Sequence, residues 1–118
     1  MADQNSIRSE RIKDRIQSLA AKYIATEASR QSLITVTGCL LSDDSKEATI
    51  LISVLPEDQE RPALAFIKHH LQELRGYIKK NSGLGVLPYL HVDLDYGEKN
   101  RQKIDDIISA DKKKDNQN

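Results

Sequence analysis

Three patterns predict an α+β domain with helices on one face of a three-stranded sheet. They are a helical-period apolar stripe near the N-terminus, two adjacent segments of alternating β-branched and polar residues, and a second helical stripe leading into a proline-opened strand. A length of 118 residues makes one compact domain. With no tryptophan and Phe66 as the single phenylalanine, the core has to be built from Ile, Leu, Val and Ala.

Residues 1–6 are polar and read as a flexible N-terminus, with the folded unit expected over residues 7–109. Ile12, Ile16, Leu19, Ala20, Tyr23 and Ile24 recur at helical spacing and predict a first helix from about Ile7 to Ser29. Beside that stripe runs a second one, Arg8, Arg11, Arg15 and Lys22, with Arg30 beyond it. A solvated helix face is the plain explanation of such a row, and its single sign is what keeps a binding role in play.

From Leu33 to Leu41, Ile34, Val36 and Leu40 alternate with Thr35, Thr37 and Cys39, the pattern of a strand with one buried face; Gly38 marks a candidate bulge. Ser42-Asp43-Asp44-Ser45 supplies turn chemistry. A second strand follows, with Ala48, Ile50, Ile52 and Val54 alternating against Thr49, Leu51, Ser53 and Leu55. Pro56 to Pro62 breaks it and places carboxylates at the start of the next helix, where they favour its dipole.

In that helix Leu64, Ile67, Leu71, Leu74 and Ile78 form one apolar stripe, with Lys68, Arg75 and Lys79 along its flank and Lys80 beside them. Gly76 interrupts it at a cost of about 0.8–1 kcal/mol relative to alanine, which asks for a kink, a helix end or close approach of another backbone; the element order is read with a kink there. Ser82-Gly83-Leu84-Gly85 ends the helix; Leu87 to Asp95 then reads as a third strand, with Leu90, Val92 and Leu94 on one face and Tyr89, His91 and Asp93 on the other. A short C-terminal helix is expected from about Glu98 to Ser109, carrying Ile104, Ile107 and Ile108, and residues 110–118 read as a disordered charged tail.

The formal net charge is zero, but it is unevenly spread. Between Ile7 and Arg30 six basic residues stand against three acidic ones, whereas between Leu41 and Glu60 six acidic residues face Lys46 alone. Such a chain can turn one face to phosphate and keep another away from it.

Other candidate chemistry is weak. His69 and His70, adjacent on a helix, point about 100° apart and do not share a metal. His91 has no ligand partner at suitable spacing, and Asp93 and Asp95 share a strand face without a nearby base or nucleophile. Gly83-Leu84-Gly85 precedes a strand and lacks the Lys-Ser/Thr pair of a phosphate loop. Cys39 is the only cysteine, so no intrachain disulfide or thiolate metal cluster forms, as suits a reducing cytoplasm; no secretory or membrane-spanning segment is evident. No cofactor is expected, and a small enzyme is the least supported class.

In order and spacing, five blocks resemble the ribosome-binding factor A family over about Arg8 to Ile108. They are Leu33-Ile34-Thr35-Val36-Thr37-Gly38, the strand Ala48 to Leu55, Leu74-Arg75-Gly76-Tyr77-Ile78-Lys79-Lys80, Leu87-Pro88-Tyr89-Leu90-His91-Val92, and Lys103-Ile104-Asp105. The resemblance implies a type II KH-like arrangement, α-β-β-α-(kink)-α-β with a short C-terminal helix, in which an Ala-x-Gly kink replaces the usual two-glycine loop. Here Gly76 is the glycine and Leu74 stands at the alanine position.

It also implies a monomeric, cytoplasmic, non-enzymatic assembly factor that binds the small (30S) ribosomal subunit and its 16S rRNA near the decoding region during late maturation and pre-rRNA processing, with a role in cold adaptation. The expected RNA-binding residues are Arg8, Arg11, Arg15, Lys22, Arg30, Lys68, Arg75, Lys79 and Lys80. The competing reading is a protein-interaction module whose acidic loops, around Asp43-Asp44 and Glu57-Asp58, dock a basic partner such as a ribosomal protein or another assembly factor.

Overall fold

The computed structural model describes residues 4–27 and 32–97. Arg30, the expected C-terminal helix and the charged tail lie outside the described residues. Element order is α1 (Gln4–Glu27), β1 (Leu33–Leu41), β2 (Glu47–Leu55), a single 3-10 turn (Glu57–Gln59), α2 (Glu60–His69), α3 (Leu71–Ser82) and β3 (Tyr89–Leu94). The sheet order is β1-β2-β3, with β1 antiparallel and β3 parallel to the central β2. The α2–α3 pair makes the crossover that a parallel neighbour requires.

All three helices pack on one face of the sheet. Ile16 of α1, Ile50 and Ile52 of β2, Ile67 of α2, and Leu74 and Ile78 of α3 are fully buried against one another. The stripe expected on the first helix is the one buried, Ile16, Leu19, Ala20, Tyr23 and Ile24, with Ile12 half-buried at its end. The helix itself starts three residues earlier than its periodicity indicates, at Gln4.

β2 and β3 keep the predicted sidedness: Ala48, Ile50, Ile52 and Val54 are buried, as are Leu90 and Val92. β1 does not. The register passes from Val36↔Ile52 to Gly38↔Leu51, so Thr37 is an extra residue, and the alternation changes phase across it. Cys39, expected outward, is buried, and Leu40, expected inward, is 59% exposed. Gly38 does mark the bulge.

The interruption between the two middle helices falls at His70, not at Gly76. His70 sits at φ −99°, ψ 15°, and its N–H is shared between the carbonyls of Phe66 and Ile67. Its ring Nδ1 lies 2.9 Å from the Phe66 carbonyl, which can only accept, so the proton sits on Nδ1. The ring also packs on Phe66 at 4.3 Å between centroids. A side chain competing for the terminal carbonyls ends α2, and α3 restarts with Leu74 N–H on the His70 carbonyl at 3.0 Å. Gly76 lies mid-way along α3, and a methyl group placed on it would meet no heavy atom within 4 Å. Leu74 is a fully buried core residue.

Candidate nucleic-acid interface

Arg8, Arg11, Arg15 and Lys22 recur every three, four and seven residues, so they fall within a narrow arc of α1 and are all exposed. Lys13 lies on the opposite flank, half-buried, with Glu10 at 2.7 Å; that hydrogen bond raises its pKa. α1 runs antiparallel to α3. Tyr23, near the end of α1, packs on Tyr77 at 5.8 Å between centroids and donates its hydroxyl to Glu73 at 2.9 Å, near the start of α3.

At the other end of this helix pair, Arg8, Arg11 and Arg15 face the connection from Ser82 to Val86 across a groove of about 780 Å³. Gly83 shapes that wall: it caps α3 at φ 73°, in the left-handed region that favours glycine. Among the described residues, no acidic side chain lines the groove.

A second cleft of about 660 Å³ adjoins the first and shares Arg8, Ile12 and Val86 with it. Its other walls are the hairpin tip, with Asp43, Asp44 and Lys46, and the entry to β3, with Pro88 and Tyr89. Asp44 accepts the Ser42 hydroxyl at 2.7 Å and the Lys46 N–H at 3.0 Å, bonds that hold its carboxyl below the usual carboxylate range. Tyr89 N–H donates to the Lys46 carbonyl at 2.8 Å and ties the hairpin tip to β3.

Of the basic residues expected on the middle helices, Lys68, Lys79 and Lys80 are exposed, each in the last turn of its helix, where a cation suits the dipole. Arg75 departs from the expectation of a freely exposed cation. It is half-buried, and its guanidinium donates to the carbonyls of Pro88 at 2.5 Å and Leu87 at 3.1 Å while lying 5.8 Å from the Tyr89 ring centroid. It is a brace between α3 and the start of β3.

The structure thus gathers Arg8, Arg11 and Arg15 at one groove and brings Arg8 and Arg75 to the adjoining cleft. Lys22, Lys68, Lys79 and Lys80 line neither. Sequence reasoning passed over Tyr89, 71% exposed, and Val86, 91% exposed, although a tyrosine directly after Leu87-Pro88 opens the strand and could have been singled out.

The remaining candidates stay apart. Cys39 is buried, and burial pushes its thiol up to about 11. His91 Nε2 lies 3.3 Å from Glu47 Oε1 at the exposed start of β2. Among the described residues no group of three or more His, Cys, Asp or Glu side chains is placed to hold a metal, and no helix is long and apolar enough to cross a membrane.

Solved structures share this architecture. A crystal structure of ribosome-binding factor A from Thermus thermophilus superimposes with a TM-score of 0.62 at 19% identity, covering 70% of this chain and 91% of that one. A homology model of the Thermus factor, fitted into a cryo-EM map of its complex with 30S, gives 0.61 at 20% identity, covering 69% and 88%. These likenesses carry the KH-like fold.

In sequence, the chain is 28% identical to ribosome-binding factor A of Geobacter sulfurreducens over 86% of its own length and 88% of the relative's. It is 26% identical to the Geotalea uraniireducens protein of the same name, over 93% and 96%. The family model described as ribosome-binding factor A matches residues 8–108, and the chain belongs to that family.

Proposed function

We propose that this protein is an assembly factor that binds the small ribosomal subunit through its rRNA during late maturation, acting as a monomer in the cytoplasm and without catalysis. The observation that carries the reading is the groove in which Arg8, Arg11 and Arg15 face Ser82 to Val86, with no carboxylate among its walls in the described residues. Three planar guanidinium groups on one helix flank suit bidentate recognition of phosphates, and Lys79 and Lys80 add positive charge at the end of α3. The Thermus factor seen with 30S supports the same partner for this chain.

Sedimentation with purified small subunits over a salt series tests it. Neutralising three phosphates gives a slope of log affinity against log salt of about −3. Arg11→Glu with Arg15→Glu should abolish comigration with free subunits while the fold persists, since both side chains are exposed. A flat salt dependence, or unchanged comigration of that double variant, would refute the reading. The acidic hairpin tip, with Asp44 held ionised, favours a second reading in which it docks a basic protein. Partners retained from a nuclease-treated lysate, lost in Asp43→Lys, would support that one.

A further inference from the structure

We propose that the cleft beside the arginine groove takes one unpaired RNA base, stacked on the ring of Tyr89; this rests on the reading of the groove as a phosphate track. Tyr89 is 71% exposed, so its ring is accessible to a base, and the Arg75 guanidinium lies 5.8 Å from its centroid. The strand residue that carries the ring is firmly anchored. Its backbone is fixed to Lys46 at 2.8 Å, and the guanidinium near it, 5.8 Å from the centroid, is itself fastened to the carbonyls of Leu87 and Pro88. With its backbone fixed and only two side-chain torsions to order, such a ring beside a cation loses little freedom when a base stacks on it.

Size and charge narrow the ligand. About 660 Å³ is the scale of a pocket for a nucleoside-sized group and too little for a duplex. Arg8 and Val86 belong to both clefts, so a strand whose phosphates follow Arg15, Arg11 and Arg8 arrives at the Tyr89 cleft without turning back. At the hairpin tip, two carboxylates, Asp43 and Asp44, outnumber Lys46; they repel phosphate and have the acceptor atoms to take hydrogen bonds from an exocyclic amino group. The charge order therefore sends backbone to one side and the amino edge of a base to the other, and Val86, 91% exposed, offers an apolar wall beside it.

Fluorescence anisotropy of the full chain with two labelled probes, a ten-nucleotide adenosine homopolymer and a perfectly paired RNA duplex, tests the assignment. Tyr89→Ala should weaken decamer binding between about 5- and 150-fold, Tyr89→Phe should stay within about twofold of wild type, and duplex affinity should be unchanged in both. Val86→Asp, at a side chain with almost no packing to lose, should weaken the decamer as well. Decamer binding that is indifferent to Tyr89→Ala and Val86→Asp overturns the inference alone, as does a wild-type protein that binds duplex but not decamer. Failure to bind either probe or small subunits overturns the proposed function with it.

Discussion

Arg75 gives the sharpest test of the assignment made from the structure, because a cation that only faced RNA from a helix flank could be lost without cost to the fold, whereas a brace could not. Its guanidinium makes two charge-assisted bonds, to the Pro88 and Leu87 carbonyls, on residues that are themselves buried. Bonds to charged donors contribute about 1.5–3 kcal/mol each, and the half-buried setting argues for the lower end. The contact with the Tyr89 ring adds about 0.5 kcal/mol. Arg75→Met keeps the aliphatic stem and removes the head group, so it should destabilise the domain by roughly 3 kcal/mol. For a domain near 100 residues that lowers Tm by about 12–24 °C. Arg75→Lys, a point charge able to reach one carbonyl, should lose about half as much. Thermal and urea unfolding followed by circular dichroism read both variants. An Arg75→Met protein within 0.5 kcal/mol of wild type would refute the brace, by a margin several times smaller than the loss expected of two charged hydrogen bonds.

Gly76→Ala should stabilise the domain by about 0.8–1 kcal/mol and raise Tm, since the position lies within a continuous helix and the added methyl meets nothing; a fall in Tm would restore the kink at Gly76. Tyr23 is pushed up to about 12 by burial first and by its bond to Glu73 second. A phenol whose pKa rises on folding stabilises fully below its unfolded value near 10 and loses that contribution between about pH 10 and 12, so Tyr23→Phe should flatten stability over that window in an alkaline denaturation series. Cys39, buried and raised to about 11, should react with a thiol reagent at pH 8 far more slowly in the native protein than in urea; equal rates would place it at the surface.

Much of the fold is legible in the sequence because periodicity reports burial wherever an element is regular. α1, β2 and β3 each keep one phase from end to end, and their buried residues are those the alternation selects. β1 fails at one residue. Thr37 adds a position that sequence alternation counts and the ladder does not, so every assignment after it changes face. The helix break was hidden for the opposite reason: Ile67, Leu71, Leu74 and Ile78 continue one stripe across His70, and nothing in an apolar count registers a histidine bonding back to Phe66. Gly76 drew the kink to itself because intrinsic propensity is visible in sequence, while a side-chain bond to a helix-terminal carbonyl is not. For the candidate site, the arginine row of α1 was readable from spacing alone. The role of Arg75 was not, since its acceptors are backbone carbonyls twelve and thirteen residues away, which carry no sequence signature.

The arrangement of charge also bounds how this protein can hold RNA. Three arginines facing a phosphate track give a salt slope of about −3, so raising salt from 50 to 200 mM weakens binding by only about 40–60-fold, against a thousandfold or more for proteins with six to ten phosphate contacts. A chain of zero net charge with an acidic hairpin tip beside its basic groove gains little from non-specific attraction to polyanions. The remainder of any specific affinity has to come from shape, and shape requires walls that do not yield. That is where Arg75 re-enters: by fastening Leu87 and Pro88 to α3 it holds in place the β3 entry that lines the second cleft. Its substitution should therefore weaken subunit binding without reducing the salt slope, whereas removal of Arg11 should reduce the slope by about one.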